Sequence, residues 1–370
     1  MMGIPNVGKK ILPDVRDFSS ANILVLRPDV LGDVLLTIPF LEALKRKAPG
    51  ASITLAVARP WVKFIELLKI VDEVIEYPFN SDPWRAASNV FRAMTFGRKN
   101  LMKRKFDVVL SPRWDADFQD AHLVAFFSHA PQRITFFENA TPWKQASNRG
   151  RDDFYTHVVV DKGTRHEASR SLYLLEALGL ASSTVEDKSL SFSIRNKVFS
   201  AELKLGPLEK GCLLIGIFPG VQDSAKQWPV ENFIETAKKI VAHRQVCFLV
   251  FGTEKESIQC ERFCRELPGH ALNFAGKTDL MELAGSMRLC SVVISCDSGG
   301  AHLAGVLEVP VVAIFRHPIG GNPESQLSPE RFRPLGRNVR VLQPSMGNSA
   351  SVTADQVAEA ALHLMVMKAD

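Results

Sequence analysis

The sequence predicts an α/β protein with two Rossmann-like βαβ domains whose parallel sheets face an inter-domain cleft. Apolar, β-branched segments typical of buried strands alternate with helical segments twice along the chain. A polar stretch near residues 181–210 interrupts this alternation. The length of 370 residues also exceeds what one hydrophobic core usually supports. Together these three observations indicate two domains, each with a doubly wound fold.

The first half of the chain predicts one domain over residues 21–185, preceded by a flexible extension over 1–20. Its first strand is 22–27, and the helix that follows should be kinked by Pro39. The remaining elements of this half follow the same two periodicities. Strands are predicted near 53–57, 72–76, 106–110 and 155–160, and helices near 61–69, 84–104, 117–129 and 166–179.

The alternation restarts after a linker that we place at 186–210, and it predicts a second domain over 211–350. Strands are expected at 213–218, 246–251, 271–274, 292–296 and 311–315, with a helix after each of the first four. Asp279 with Glu282, and Thr353 with Gln356, have the spacing of helix capping boxes. The second pair opens a C-terminal helix within 351–370.

Composition narrows the class of protein. A hydrophobic content of 46% and a charged content of 23% are typical of a soluble globular chain. A net charge of +5 favours an anionic partner but is too weak to indicate nucleic acid. No apolar run reaches the roughly 18 residues of a membrane span, and the N-terminus lacks the apolar core of a signal peptide. We therefore expect a cytoplasmic protein with six reduced cysteines that can touch a membrane from its surface.

The most informative stretch is the strand 292–296 followed by Asp297-Ser298-Gly299-Gly300 and a helical pattern. Glycine allows close approach of a ligand to the backbone, and the first helical turn offers free amides and partial positive charge. This arrangement predicts a seat for a diphosphate. The residues alone fit an ordinary helix cap equally well, and both interpretations stay open at this point.

Other polar residues also follow predicted strands. Asp29 and Asp33 come after the first strand, Lys226 after strand 213–218, and Gly252 with Glu254 after strand 246–251. In parallel α/β sheets ligands bind beyond the carboxyl ends of the strands. We therefore expect these residues to line one cleft.

Four motifs occur in order along residues 22–345: Ile23–Arg27 with Leu31–Val34, Phe218–Gly220 with Lys226–Pro229, Gly276–Thr278 with Glu282, and Asp297–Gly299 with His302–Ala304. In order and spacing they resemble glycosyltransferase family 9, the ADP-heptose:lipopolysaccharide heptosyltransferases. The resemblance implies the GT-B fold. It also implies an inverting, metal-independent transfer of a heptose or related sugar from a nucleotide diphosphate to a lipopolysaccharide core or similar glycan. The donor that the resemblance implies is ADP-heptose.

The resemblance assigns roles to single residues. Asp33 matches the general base of the family, and Lys226 matches the cation that neutralises the diphosphate. The family often has two hydroxyl residues before Leu-Gly-Asp, whereas this chain has Asp29-Val30. Asp29 is therefore an alternative catalytic base.

The expected donor-binding residues share positions at strand ends or in family motifs: Gly220, Lys226, Gly252, Glu254, Asp297, Ser298, Gly299, Gly300 and His302. Asp297 would bind sugar hydroxyls, and the amides of 298–302 would hold phosphate. Glu254 would bind ribose, with Glu256 as a rival, and His302 could instead pack within its helix. After Phe315 the family usually continues with glycine and a proline-rich turn, but here Arg316-His317-Pro318 follow.

An anionic acceptor requires cations in the first domain, and by position we select Arg59, Lys63 and Arg113. Asp115-Ala116-Asp117 has the spacing of a metal-binding motif but lies far in sequence from the phosphate site. We therefore expect no metal and no cofactor beyond the donor substrate.

The segment 85–105 mixes seven basic residues with apolar ones, a pattern that fits a helix lying on the anionic inner-membrane surface. A solvated helix packing one face on its sheet is the alternative. Two other functions also remain open: a nucleotide-sugar epimerase of the same fold, and a non-catalytic nucleotide-sugar-binding module.

Overall fold

The computed structural model describes residues 18–78, 86–161, 163, 166–180, 211–345 and 352–367. The chain divides into two compact units, residues 1–185 and residues 186–370. The predicted linker and most of the predicted N-terminal extension lie outside the described residues, so their bounds stay predictions.

The first unit contains a six-stranded parallel sheet in the order β3-β2-β1-β4-β5-β6. Its strands are β1 Asn22–Arg27, β2 Ser52–Ala58, β3 Glu73–Tyr77, β4 Val108–Ser111, β5 Gln132–Phe136 and β6 His157–Val159. Its helices are α1 Leu31–Leu36, α2 Ile38–Lys47, α3 Val62–Leu68, α4 Ala86–Phe96, α5 Ala121–Phe127, α6 Pro142–Asn148 and α7 Glu167–Ala177. This is the order of a Rossmann sheet.

The second unit contains a six-stranded parallel sheet in the order β12-β11-β10-β7-β8-β9. Its strands are β7 Leu213–Phe218, β8 Val246–Val250, β9 Ala271–Asn273, β10 Val292–Cys296, β11 Val311–Ile314 and β12 Val339–Leu342. Its helices are α8 Val230–His243, α9 Ser257–Glu266, α10 Leu280–Arg288, α11 Gly299–Val306, α12 Pro329–Phe332 and α13 Ala354–Met367.

Both sheets have the same topology when their strands are counted from the first strand of each unit. The strand order reverses between β1 and β4 in the first unit and between β7 and β10 in the second. Loops that leave neighbouring strands in opposite directions open a crevice at such a switch point. The prediction of two Rossmann-like parallel sheets is confirmed.

Local sequence explains several boundaries. The predicted kink at Pro39 is confirmed as a break at Thr37, where α1 ends and α2 begins. Proline lacks an amide hydrogen and so lies naturally in the first turn of α2. The predicted capping box of α10 is also confirmed, because the Asp279 carboxylate accepts hydrogen bonds from the amides of Met281 and Glu282.

Several elements differ from the sequence prediction, and among them α6 and α12 were not predicted at all. β5 was not predicted because it begins with the half-buried polar residues Gln132 and Arg133. β12 was not predicted because it is a short edge strand that carries an exposed Arg340. The helix expected at 84–104 ends at Phe96, and a π-helical turn continues to Leu101.

The C-terminal helix α13 packs on α8 within the second unit. The indole nitrogen of buried Trp228 donates a hydrogen bond to the carbonyl of Val352 at 3.2 Å. Thr236 likewise donates to the carbonyl of Ala354 at 3.4 Å. The Trp228 bond holds the end of the loop after β7, which carries Lys226, against the hydrophobic core of the unit.

Candidate functional site

Four charged side chains meet at the switch point of the first sheet. Arg27 is the last residue of β1, Asp29 and Asp33 follow it, and Arg113 follows β4. Arg113 Nη1 contacts Asp29 Oδ1 and lies 3.2 Å from Asp33 Oδ2. Arg27 Nε lies 3.3 Å from Asp29 Oδ2, and Arg27 Nη2 lies 3.5 Å from Asp33 Oδ1. We call these four residues the Asp29–Asp33 cluster.

The two carboxylates of the cluster differ in exposure. The Asp29 side chain is 7% exposed and the Asp33 side chain 16%. Burial raises the pKa of Asp29 even though Arg113 and Arg27 act to lower it. For Arg113, burial lowers the pKa, but the neighbouring carboxylates outweigh burial and raise it overall. A substrate hydroxyl therefore reaches Asp33 more easily than Asp29.

The predicted acceptor cations lie in different surroundings. Arg113 belongs to the cluster and pairs with both candidate bases. Arg59 is exposed after β2, with Nε 3.8 Å from Glu76 Oε1, and Lys63 is exposed on α3. Sequence reasoning assigned no role to Arg27. The sequence did offer a signal for Arg27, because it is a charged residue at the end of an apolar strand and a buried arginine needs a partner.

The switch point of the second sheet holds an ion pair between a half-buried lysine and a buried aspartate. Lys226 follows β7 in a 3₁₀ turn, Asp297 follows β10, and Lys226 Nζ lies 2.5 Å from Asp297 Oδ2. His302 Nε2 lies 3.6 Å from the other carboxylate oxygen. Burial acts to raise the pKa of Asp297, but His302 and Lys226 outweigh it and lower the pKa. Asp297 therefore stays ionised at neutral pH and anchors Lys226.

The N-terminus of α11 begins directly after this pair. Ser298 is its N-cap residue, but its hydroxyl lies 2.8 Å from the Ser295 hydroxyl and does not cap the helix. The amide of His302 donates to the Ser298 carbonyl. The first-turn amides of Gly299, Gly300 and Ala301 thus lack an intrahelical acceptor and suit an anion.

Three glycines at this site lie so close to neighbouring side chains that a Cβ would crowd them. A Cβ at Gly300 would lie 2.7 Å from the ring of Phe218, and one at Gly220 would lie 2.8 Å from Glu256 Cβ. At Gly252 a Cβ would lie 3.2 Å from Glu256 Oε2. Alanine fits none of these positions without a shift of its neighbours.

The two rival glutamates after β8 have different partners. Glu256 Oε2 accepts hydrogen bonds from the Thr253 amide at 2.6 Å and the Thr253 hydroxyl at 3.0 Å. This capping box occupies Glu256, which is buried. Glu254 is exposed at the end of β8. Of the two, Glu254 is the side chain that a ligand can reach.

The two carboxylates of the Asp115-Ala116-Asp117 segment form hydrogen bonds and ion pairs within the first unit. Asp115 Oδ1 accepts a hydrogen bond from Thr141 at 3.1 Å. Asp117 lies 3.5 Å from His122 and 3.7 Å from Arg151. Burial acts to raise the pKa of Asp117, but the interactions with His122 and Arg151 outweigh burial and lower it. Within the described residues, no three His, Cys, Asp or Glu side chains gather in a way that could hold a metal ion.

Comparison with known proteins identifies similar chains. The family model described as glycosyltransferase family 9 (heptosyltransferase) matches residues 97–361. The chain is 24% identical over 349 residues to lipopolysaccharide heptosyltransferase 2 of Salmonella typhimurium, and the alignment covers 87% of each protein.

Solved structures share the fold. A glycosyl transferase family 9 structure from Veillonella parvula matches with a TM-score of 0.73 and 22% identity, covering 95% of this chain and 98% of that one. The structure of ADP-heptose lps heptosyltransferase II from E. coli matches with a TM-score of 0.69 and 19% identity, covering 94% and 100%. Among the described helices, none is long and apolar enough to cross a membrane.

Proposed function

This chain belongs to glycosyltransferase family 9, the heptosyltransferase family, and on that premise we propose that it transfers a heptose from ADP-heptose to a lipopolysaccharide core. A related sugar and a similar glycan acceptor would need the same chemistry. The observation that carries the proposal is the Lys226–Asp297 pair beside the free amides of α11. The similar E. coli structure is that of an ADP-heptose lps heptosyltransferase.

The donor diphosphate binds at the second switch point. Lys226 and the first-turn amides of Gly299 to Ala301 contribute positive charge that stabilises a departing nucleoside diphosphate. Asp297 holds Lys226 in place and presents carboxylate oxygen to sugar hydroxyls. Glu254 accepts hydrogen bonds from the ribose, which its exposure supports.

The chemical step is a direct displacement that inverts the anomeric centre. The acceptor oxygen forms a bond to the anomeric carbon, and the bond from that carbon to the diphosphate oxygen breaks, so its electron pair leaves with ADP. Asp33 takes the proton from the acceptor hydroxyl. Arg27 and Arg113 orient Asp33, and both arginines also form ion pairs with Asp29.

Binding of the free nucleotide tests the donor assignment. We expect the purified protein to bind ADP more tightly than UDP, with the same dissociation constant in the presence of EDTA, because side chains and helix amides supply the charge. Isothermal titration with both nucleotides measures this. Tighter binding of UDP would assign the site to another donor class, and a requirement for a divalent cation would contradict the metal-independent mechanism.

The nucleotide-sugar epimerase alternative is not favoured, because the matching family model describes heptosyltransferases and the Salmonella typhimurium relative is a heptosyltransferase. The non-catalytic alternative predicts donor binding without turnover. Release of ADP from ADP-heptose that depends on a lipopolysaccharide acceptor separates it from the proposed enzyme.

The acceptor is a glycolipid, so we also propose that the protein works at the cytoplasmic surface of the inner membrane. On α4 and the turn after it Phe91 is 70% exposed, and Met94 and Met102 are exposed as well. The same segment exposes four basic side chains: Arg98, Lys99, Lys103 and Lys105. Apolar side chains among cations suit an anionic lipid surface.

Charge reversal tests this membrane surface. We expect the double substitution Arg98→Glu with Lys103→Glu to weaken binding to anionic vesicles about tenfold or more, because each basic residue near such a surface contributes about 1 kcal/mol. Vesicle sedimentation at two salt concentrations measures the effect. Lys238→Glu with Arg262→Glu is the matched control, because both side chains are exposed on the second unit. Equal binding by both double variants would exclude this segment as the docking surface.

A further inference from the structure

The charge at the proposed diphosphate site is incomplete without another cation. Lys226 Nζ lies 2.5 Å from Asp297 Oδ2, and the carboxylate is buried and ionised. The pair is therefore close to neutral overall. A diphosphate carries a negative charge on each phosphate. Because Asp297 neutralises much of the positive charge of Lys226, Lys226 attracts the diphosphate less strongly than an unpaired lysine would.

Arg316 lies close to the segments that carry this pair. It follows β11 by two residues, and β11 pairs with β10 so that Ile314 is opposite Cys296. Asp297 comes directly after Cys296. Arg316 Nη1 donates a hydrogen bond at 3.4 Å to the carbonyl of Ser224, the first residue of the 3₁₀ turn that carries Lys226.

The charge of Arg316 is not neutralised by a neighbour. Over the described residues it forms no ion pair within 4.0 Å, and its side chain is half-buried. Arg316 also acts electrostatically on Cys296, the last residue of β10. Burial raises the pKa of Cys296 to about 12, while Arg316 and Lys226 both act to lower it.

We propose that Arg316 is a second diphosphate-binding residue, which supplies the cationic charge that the Lys226–Asp297 pair lacks. This inference rests on the proposed function, since it requires a nucleoside diphosphate donor. A planar guanidinium can bind two phosphate oxygens at once, whereas the ammonium of Lys226 acts as a point charge. Arg316 therefore contributes affinity for the diphosphate rather than for the nucleoside.

The test compares ADP with adenosine in three proteins. We expect Arg316→Gln to raise the dissociation constant of ADP about 10- to 100-fold, in line with loss of charged hydrogen bonds, and to leave adenosine binding unchanged. Arg316→Lys should recover part of the loss. Arg340→Gln, an exposed arginine on β12, is the matched control and should bind like the wild type. A thermal unfolding curve for each variant confirms that it is folded.

The outcomes separate the two proposals. Wild-type affinity for ADP in the Arg316→Gln variant would overturn the role of Arg316 and leave the donor assignment intact. An equal loss for ADP and adenosine would assign Arg316 to shaping the site, which also overturns the role. Failure of the wild type to bind any nucleoside diphosphate would contradict the proposed function itself.

Discussion

Replacing Asp33 by asparagine should lower kcat for heptosyl transfer about 10²- to 10⁴-fold, the usual contribution of a general base. The amide keeps the shape of the side chain but cannot take the acceptor proton. Since the change spares the second unit, the affinity for ADP should stay at the wild-type value. Steady-state kinetics with ADP-heptose and a lipopolysaccharide acceptor measures kcat, and titration measures ADP binding.

Asp29→Asn is the matched comparison because the two carboxylates share Arg27 and Arg113. We expect a smaller loss of kcat, since Asp29 is the more buried group and acts by holding the arginines. Asp153→Asn, an exposed carboxylate of the same unit, should have no effect. If Asp29→Asn abolished turnover while Asp33→Asn retained it, the roles of the two carboxylates would be reversed.

Lys226→Ala should lower kcat/KM for ADP-heptose about 10²- to 10³-fold, comparable with loss of one group that stabilises a developing charge. Two effects combine in this variant. The departing diphosphate loses a cation, and the buried carboxylate of Asp297 loses its partner at 2.5 Å and repels the donor. The same substitution should weaken ADP binding in a titration.

Lys226→Arg keeps the charge and should restore part of the activity. Lys238→Ala removes an exposed lysine of α8 and should match the wild type in both assays. Unchanged kcat/KM in Lys226→Ala would remove Lys226 from the mechanism and leave the diphosphate to the helix amides and Arg316.

The sequence predicted those parts of the site that are local along the chain. Strand β10, the two glycines after Asp297 and the helix that follows are specified within about a dozen residues by short-range preferences. The same holds for Asp29 and Asp33, which lie just after the apolar β1. Rossmann topology then places each group at the carboxyl edge of the sheet in its own unit.

Pairs between distant residues could not be predicted. The sequence suggested Lys226 as a phosphate ligand, but its ion pair with Asp297 depends on strands β7 and β10 lying side by side. Arg113 was selected as an acceptor ligand, a role that stays a prediction, but its contact with the carboxylates depends on β4 lying next to β1. Such pairings depend on tertiary packing, which local propensity does not encode. The choice between Glu254 and Glu256 is different, because the Thr253–Glu256 capping box spans three residues and its spacing is visible in the sequence.

The contact of Arg113 with Asp29 joins residues that are 84 positions apart. It forms when β4 docks against β1, after the chain has closed a long loop that contains β2 and β3. A nascent chain that has emerged as far as β3 already carries both carboxylates but not the arginine. The Asp29–Asp33 cluster therefore needs β4 as well as β1, and it can be complete only once this central pair of strands has closed.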